Sequence, residues 1–506
     1  MMSRYVLVIF LLITLSQLLN GQGIFRGSNL MEFQLGNLPT LNPEYQSSLY
    51  DQLNLSYRYN VFGLDARIEQ YYPSFGEESD YRKISQYTFQ YKSDLLDIEV
   101  GNLYTSLGRG LLLRTYEIPG SIWETRGYRV RYGFYRDLLG ASVKFNYKGL
   151  ELKAIRGEVL DVTLPPTIEE DLDRRPDLVE ALQTSYRFNS QSVGFILMRH
   201  VVENQAGPNA ERPDKYLSFF YDGVLFDKLT LYGELARQLD GEIPLTNFTE
   251  SASYGGYVGF NFYLLNFGAS LEYKDYHNFS LGTGMNDPPT LIKEHSYRTL
   301  NRSTHVPVLT DENGYQVELY MTLENGSMFT FNTSRSKNEI SEERQPVFQE
   351  YFLEYQFYPS EQTSAKVFVD YAKDPFVNEV NRYATGGYID LQHKKLTSTV
   401  EFEWQHIERE TNVIDEFSNY YFSYTLSKAS KYSISTVLEL TYDPIQIFDS
   451  KQYNLYPALI TTYQPNSKNK LTLFYGKRRG GPACNSGVCY DVLDFKGLEL
   501  RLNTRF

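Results

Sequence analysis

Apolar and polar residues alternate with a period of two along most of the chain, from about residue 47 to the end. In "YRVRYGF", Tyr128, Val130, Tyr132 and Phe134 share one face and Arg129, Arg131 and Gly133 the other. In "TVEFEWQH", Val400, Phe402 and Trp404 oppose Glu401, Glu403 and Gln405. "YQVELYMTL" sets Val317, Leu319 and Met321 against Gln316, Glu318 and Tyr320, and "KVFVDY" sets Val367, Val369 and Tyr371 against Lys366, Phe368 and Asp370. The last residues, "LELRLNTRF", put Leu498, Leu500, Leu502, Thr504 and Phe506 opposite Glu499, Arg501, Asn503 and Arg505. Successive side chains of a strand point to opposite faces, so each segment is a strand with one apolar and one polar side.

The connectors fall into two classes that alternate. Short ones lie near Gly63, Asn189, Asp227, Gly326, Pro359, Lys428 and Asn466. Long, polar, often acidic ones cover 160–178, 202–215, 239–251, 278–314, 336–347, 373–383, 408–416, 443–452 and 478–492. A soluble sandwich has no reason to sort its loops by parity, whereas outer-membrane barrels have short periplasmic turns and long outside loops. The pattern predicts an all-β chain forming a single transmembrane antiparallel up-and-down β-barrel. At about 20 residues for each strand and its connector, it has about 24 strands, within a range of roughly 20–26. The alternation of loop classes breaks once between 100 and 180. Residues 47–506 are assigned to the barrel, and 22–46 to a periplasmic lead-in or the first strand.

The start of the chain fixes the compartment. "MMSRYVLVIFLLITLSQLLNGQG" has Arg4, an apolar run from Tyr5 to Leu19, then small and polar residues. This is the layout of a secretory signal peptide, assigned to residues 1–21. Beyond it no run of about 18 apolar residues occurs, which excludes helical spans. The mean hydropathy is negative, as expected where polar lumen positions alternate with apolar outer ones. Aromatic residues make up 15% of the chain, with 44 Tyr and 32 Phe. Aromatic girdles at two membrane interfaces account for such a surplus. The net charge of −13 argues against nucleic acid, which attracts a basic face. The expected surroundings are membrane lipid and lipopolysaccharide in the bacterial outer membrane, with the barrel-assembly machinery and possible envelope proteins as partners.

The segment richest in candidate chemistry is "GNLYTSLGRGLLLRTYEIPGSIWETRGYRVRYGF", residues 101–134. It reads as a strand, Gly108-Arg109-Gly110, a loop with Pro119, Gly120 and Trp123, Arg126-Gly127, and another strand. Gly and Pro allow a loop to fold into a barrel. Arg109, Arg114, Arg126, Arg129 and Arg131 are costly in lipid and must face the lumen or water. Together they form an anion-favouring constriction, or they pair with Glu99 and Glu117 and simply hold the loop. The pattern resembles that of bacterial porins of the alginate-export and substrate-specific type, and also an uncharacterised family of Bacteroidota outer-membrane barrels. The resemblance implies a porin-like barrel with a loop folded inward. Further lining candidates are Glu318, Glu401, Glu403, Glu499 and Arg501. Phe506 at the end of a two-faced strand resembles the signal read by the barrel-assembly machinery.

Other features carry less. Cys484 and Cys489 in "CNSGVC" suit a small loop disulfide in an oxidising compartment, with two free thiols as the alternative, and are too few for zinc. "TIEEDLDRRPDLVEAL", 167–182, reads as a short helix or a solvated acidic loop. The six histidines form no HExxH or comparable motif, although His277 and His295 flank a long loop where carboxylates are close. No metal, cofactor or enzymatic activity is therefore expected. The function so indicated is a porin-like channel or binder for small polar solutes. The alternative is a non-conducting barrel subunit or scaffold of a larger outer-membrane secretion or assembly complex. The folded chain is expected to resist SDS and to migrate faster before boiling than after. Identical migration, with protein recovered without detergent, would overturn the barrel assignment.

Overall fold

The computed structural model describes residues 23–506 apart from 40, 74–79, 125–129, 161–173, 202–213, 240–251, 280, 282–290, 307–310, 342–343, 412–413, 430, 447–451 and 486–487. Residues 1–21, read as a signal peptide, thus lie outside the described residues. One antiparallel sheet of 24 strands forms the wall. It closes on itself, because Ile24–Asn37 pairs with Gln46–Tyr59 on one side and with the final strand, Phe495–Arg505, on the other. The wall therefore begins at residue 24, inside the segment read as lead-in or first strand. Closure is obligatory in lipid, where an unpaired strand edge has no water to satisfy it. At the seam Ser28 faces Arg505 and Asn37 faces Lys496. Backbone bonds between Gly27 and Phe506 extend the ladder to the last residue.

The period-two pattern sorts the faces as the sequence predicts. Leu235, Val367, Val369, Phe402, Ile434 and Leu438 are exposed on the outside, while Glu234, Asp370, Glu403 and Glu439 are buried inside. Phe368 shares the inner face with Asp370 and is buried there. A closed sheet with an apolar outer band is the architecture of bacterial outer-membrane barrels, and the protein is placed in that membrane. Turns as short as Asn189-Ser190 and Lys394-Lys395 join strands at one rim, which also holds Ile24 and Arg505. Asn189 and Lys394 take positive φ there, the twist that a tight hairpin needs. The longer loops lie at the other rim.

Two sequence readings are corrected. "YRVRYGF" is not a two-faced wall strand. Val130 to Tyr135 are all buried, because Arg131–Arg136 pairs with Tyr116–Glu124 in a separate two-stranded sheet. Leu96–Leu103 pairs directly with Leu138–Tyr147, so residues 104–137 leave the wall between them. This excursion is what breaks the loop parity between 100 and 180. The helix read over 167–182 is also absent where the chain is described, since Arg174–Phe188 is a wall strand. Val179 and Ala181 point inward and Leu182 outward. Ladders to Leu150–Leu160 and Gln191–Val201 outweigh a helix preference that is only tenths of a kcal/mol per residue, roughly. Cys484 and Cys489 lie opposite each other across a small loop hairpin, but their side chains are outside the described residues.

At the long-loop end of the seam, Gly36, Gly497 and Gly476 are register partners across three strands. Gly497 has φ +153°, and a Cβ there would lie 2.3 Å from the Leu35 carbonyl oxygen. Gly497→Val is therefore expected to destabilise the closed barrel by about 1–3 kcal/mol. The check is a urea titration of the fast-migrating SDS band, and an unshifted midpoint would refute this account of the seam.

Candidate functional site

Two loops from the long-loop rim fold back into the lumen. The first, 104–137, has two parts. Its neck is closed by Thr105 and Thr115, whose backbone and hydroxyl groups bond across it at 2.6–2.8 Å. The tip Gly108-Arg109-Gly110 runs along the adjoining sector of the wall, reaching strands three to six places round from Leu96–Leu103. There the Gly108 N–H donates to Gln183 Oε1 (3.1 Å) and the Arg109 N–H to Glu234 Oε2 (3.1 Å). Glu234 also accepts from Ser218 and Tyr232, and the Arg109 guanidinium lies 4.0 Å from the centre of the Tyr232 ring. Gly108 has φ +54°, and a Cβ there would meet the Glu234 carboxylate at 2.3 Å. Leu107, Leu111, Leu112 and Leu113 are 0% exposed and pack against Ile155, Val179, Ile196, Met198 and Tyr216 of the wall. Burial of each such leucine is worth roughly 1.5–3 kcal/mol. This sector of the inner wall is apolar, contrary to the polar lumen expected, because it serves as the seat of a leucine wedge.

The second part is the 116–136 hairpin, which lies against the seam strands and is held by charge and tyrosine contacts. Arg67 donates to Asn54 Oδ1 and to Glu117 Oε1, both at 2.6 Å. Glu69 accepts from Tyr50, from the Gly133 N–H and from Tyr135. Arg131 reaches Glu32 (3.0 Å) and Glu124 (3.1 Å). Burial alone would lower the Arg131 pKa, but Glu124 and Glu32 hold it above its ordinary value. Arg501 donates to the Gly120 carbonyl oxygen. Trp123 packs edge-on against Phe134, with centroids 4.7 Å apart.

The second loop, 278–311, carries the only α-helix among the described residues, Arg298–Arg302. Glu403 of the wall accepts from the Arg298 N–H (2.8 Å), the Thr299 N–H (2.7 Å) and the Thr299 hydroxyl (2.6 Å). Tyr297 and Leu300 are buried against Phe352, Phe368 and Ala384. His295 meets Glu350 at 3.2 Å and His305 meets Asp374 at 2.9 Å. Arg302 bonds Glu439 (2.9 Å) and the Gly480 carbonyl oxygen (2.7 Å). Burial pulls its pKa down to about 10 against the opposing pull of Glu439, so it stays charged at neutral pH. His295, Glu350 and Asp370 lie close enough together to suggest a metal site. The Arg382 guanidinium already bridges Glu350 (2.7 Å) and Asp370 (3.3 Å), however, and fills the need for a cation.

The expected site residues are thus distributed. Arg109 grips the wall strand Leu229–Gln238, Arg131 and Glu117 belong to the seam hairpin, and Arg114 lies in the neck near Tyr116. Glu99 stays on the wall strand Leu96–Leu103 and lines a cavity with Glu117. Arg126 and Arg129 lie outside the described residues. Glu318, read as pore lining, is held by Lys293, and Glu403 by the helix. Sequence reasoning missed Arg67, Glu69, Glu234, Glu350 and Arg382. Each sits at an inward position of an alternating strand, which was the available signal.

The hairpin separates open spaces along the seam. On the short-turn side lie a cavity of about 560 Å³, with Arg26, Arg67, Glu99 and Glu117 in its lining, and one of about 430 Å³ that reaches Glu117 and Gly120. On the long-loop side a cavity of about 180 Å³ is bounded by Gly120, Glu124, Arg131 and Glu499. Gly120 bounds the spaces on both sides, so the hairpin is the partition.

A family profile described as a family of unknown function, DUF6029, matches residues 36–506. No curated protein matches the chain in sequence. Similar solved structures include the P pilus usher (PapC) translocation pore, with a TM-score of 0.45 and 10% identity over 96% of this chain and 99% of that one. The siderophore receptor PirA from Pseudomonas aeruginosa has a TM-score of 0.44 and 9% identity over 96% and 81%. OccK3 (OpdO) of Pseudomonas aeruginosa has a TM-score of 0.43 and 12% identity over 73% and 94%. These are likenesses of barrel architecture.

Glu403→Ala removes the acceptor for two backbone amides. Hydrogen bonds to a charged group are worth about 1.5–3 kcal/mol each. Hydrogen exchange at Arg298 and Thr299 is expected to accelerate at least about tenfold, and unchanged protection would refute the role assigned to Glu403.

Proposed function

The chain belongs to the family of unknown function DUF6029, and on that premise we propose that it is a gated outer-membrane channel for small polar solutes. Its path runs along the seam wall and is shut by the 116–136 hairpin. The observation that carries this reading is the position of the hairpin between cavities lined by residues of the short-turn side and of the long-loop side. The leucine wedge is held by apolar burial and acts as the fixed part of the constriction. The hairpin is seated by buried ion pairs and hydrogen bonds as well as by Val130 and Tyr132 packed with Leu30, Tyr50, Tyr71 and Tyr81 of the wall, so its seat can be weakened by removing a single charge. Diffusion through the opened path is the whole mechanism, and no catalytic residue is assigned. The histidine–carboxylate pairs support this, since His295 and His305 are buried against Phe352 and Phe348.

The lining charges favour polar solutes without a strong choice of sign. Arg26, Arg67 and Arg505 are balanced by Asp65, Glu99 and Glu117 around the larger seam cavity. An anion-selective arginine ring therefore gives way to a mixed lining. Lipid and lipopolysaccharide surround the outer band, and Phe506 serves as the assembly signal in this reading. A second reading, a closed scaffold in an envelope complex, draws support from the dense network around the 278–311 loop.

Planar-bilayer recordings test the proposal. The unaltered chain is expected to be mostly closed, with weak ion selectivity. Arg131→Gln leaves Glu32 with Arg501 at 3.7 Å as its one remaining ion-pair partner among the described residues, beside the Gln34 amide at 3.4 Å. Breaking a buried ion pair costs about 3–5 kcal/mol, so open probability is expected to rise at least about tenfold. If Arg131→Gln and a chain lacking 118–134 both remain silent while keeping the fast-migrating SDS band, the channel reading fails and the scaffold stands.

A further inference from the structure

The short-turn rim is not uniformly charged. Three consecutive turns of the wall, within 391–397, 426–432 and 464–470, hold Lys394, Lys395, Lys428, Lys431, Lys468 and Lys470, and no Asp or Glu. The chain as a whole has 62 acidic and 49 basic residues, so an arc of six lysines without a carboxylate runs against its composition. Other turns of the same rim contain Asp94, Asp227, Glu324 and Glu361, which confines the arc to one side of the barrel.

The first four lysines line a recess of about 700 Å³ together with Tyr432 and Tyr463. Among the described residues none of the four is in an ion pair. Tyr432 and Tyr463 are cross-strand partners and are 42% and 50% exposed. Lys428 faces Tyr432 across the neighbouring pair of strands, with its ammonium 5.4 Å from the ring centre. Phe422, Tyr424 and Leu426, which precede Lys428 on its strand, are all exposed. Phe422, Tyr424, Leu426 and Lys428 alternate along one outer face, so this face of the recess continues the lipid-facing surface. Tyrosine rings at this level mark the membrane–water interface, and long lysine side chains there reach headgroup oxygens.

We infer that this lysine recess is a binding site for the headgroup of an anionic phospholipid in the periplasmic leaflet. The lysines take the phosphate, and Tyr432 and Tyr463 lie along the glycerol and upper acyl chains. The inference rests on the outer-membrane orientation given above, with the short turns toward the periplasm, and is independent of whether the lumen conducts. An acidic periplasmic protein is the competing occupant. The lipid is favoured because the lysines share their recess with outward-facing rings at the edge of the apolar band.

The test uses the full folded chain in detergent, titrated with dioleoyl phosphatidylglycerol or dioleoyl phosphatidylcholine and followed by native mass spectrometry. Phosphatidylglycerol adducts are expected to exceed phosphatidylcholine adducts at least about tenfold, since lysines close to the membrane surface attract anionic headgroups. The variant K394Q/K395Q/K428Q/K431Q is expected to lose that preference and keep the fast-migrating SDS band. The control K92Q/K148Q/K228Q, in other turns of the rim, is expected to keep it. Equal binding of the two lipids, or full preference in the four-lysine variant, would overturn the inference. Displacement of the lipid by millimolar inorganic phosphate, or an acidic protein co-purifying on these lysines in place of lipid, would overturn it as well. Loss of the SDS-resistant band in the unaltered chain would instead undo the barrel fold on which it rests.

Discussion

Circumference is the constraint from which the rest follows. A sheet that must close in lipid with 24 strands encloses far more space than wall side chains can fill. Barrels of about 16–18 strands already leave an aqueous channel, and wider ones are usually plugged. This chain fills its lumen from two of its own loops, one on either side of the strands from Leu138 to His277. A filled lumen needs seats, and the seats are written into the inward positions of the wall.

The two loops solve the seating problem differently. The Leu107–Leu113 segment brings its own apolar surface and requires an apolar patch opposite, which Ile155, Val179 and Ile196 provide. The 278–311 loop brings backbone amides, arginines and histidines, and is met by Glu350, Asp374, Glu403 and Glu439. A buried carboxylate costs several kcal/mol unless fully paired. These four wall carboxylates and the loop are therefore mutually dependent, and neither is comfortable without the other. The 116–136 hairpin stands between these cases, with ion pairs and tyrosine hydroxyls beside an apolar cluster of Val130 and Tyr132 with Leu30, Tyr50, Tyr71 and Tyr81.

The wall was largely legible in the sequence, because period-two alternation and loop parity are direct consequences of strand geometry. "TVEFEWQH" and "LELRLNTRF" faced the way their patterns indicated. What alternation cannot distinguish is a wall strand from a strand inside the barrel. Arg131–Arg136 has the same local pattern as a wall strand, yet Arg131 to Tyr135 are buried on both faces. Arg109, Arg114 and Arg131 were recognisable as lumen residues on energetic grounds. Their partners were not recognisable, since Arg109–Glu234 and Arg131–Glu32 are separated by about a hundred residues or more and are set by closure of the sheet. The stretch around Leu178 and Leu182 misled because its helix preference is local, while the ladders on both sides of it are not.

One consequence concerns the order in which the molecule becomes whole. The seam hairpin is clamped by Arg131 to Glu32 on the first wall strand and by Gly120 to Arg501 on the last. Those two strands are the ends of the chain's path around the wall, so they become neighbours only when the cylinder zips shut. Until then the hairpin has half a berth. Completion of the wall is thus also what completes the seat of the hairpin, and an unfinished barrel holds it by one side only.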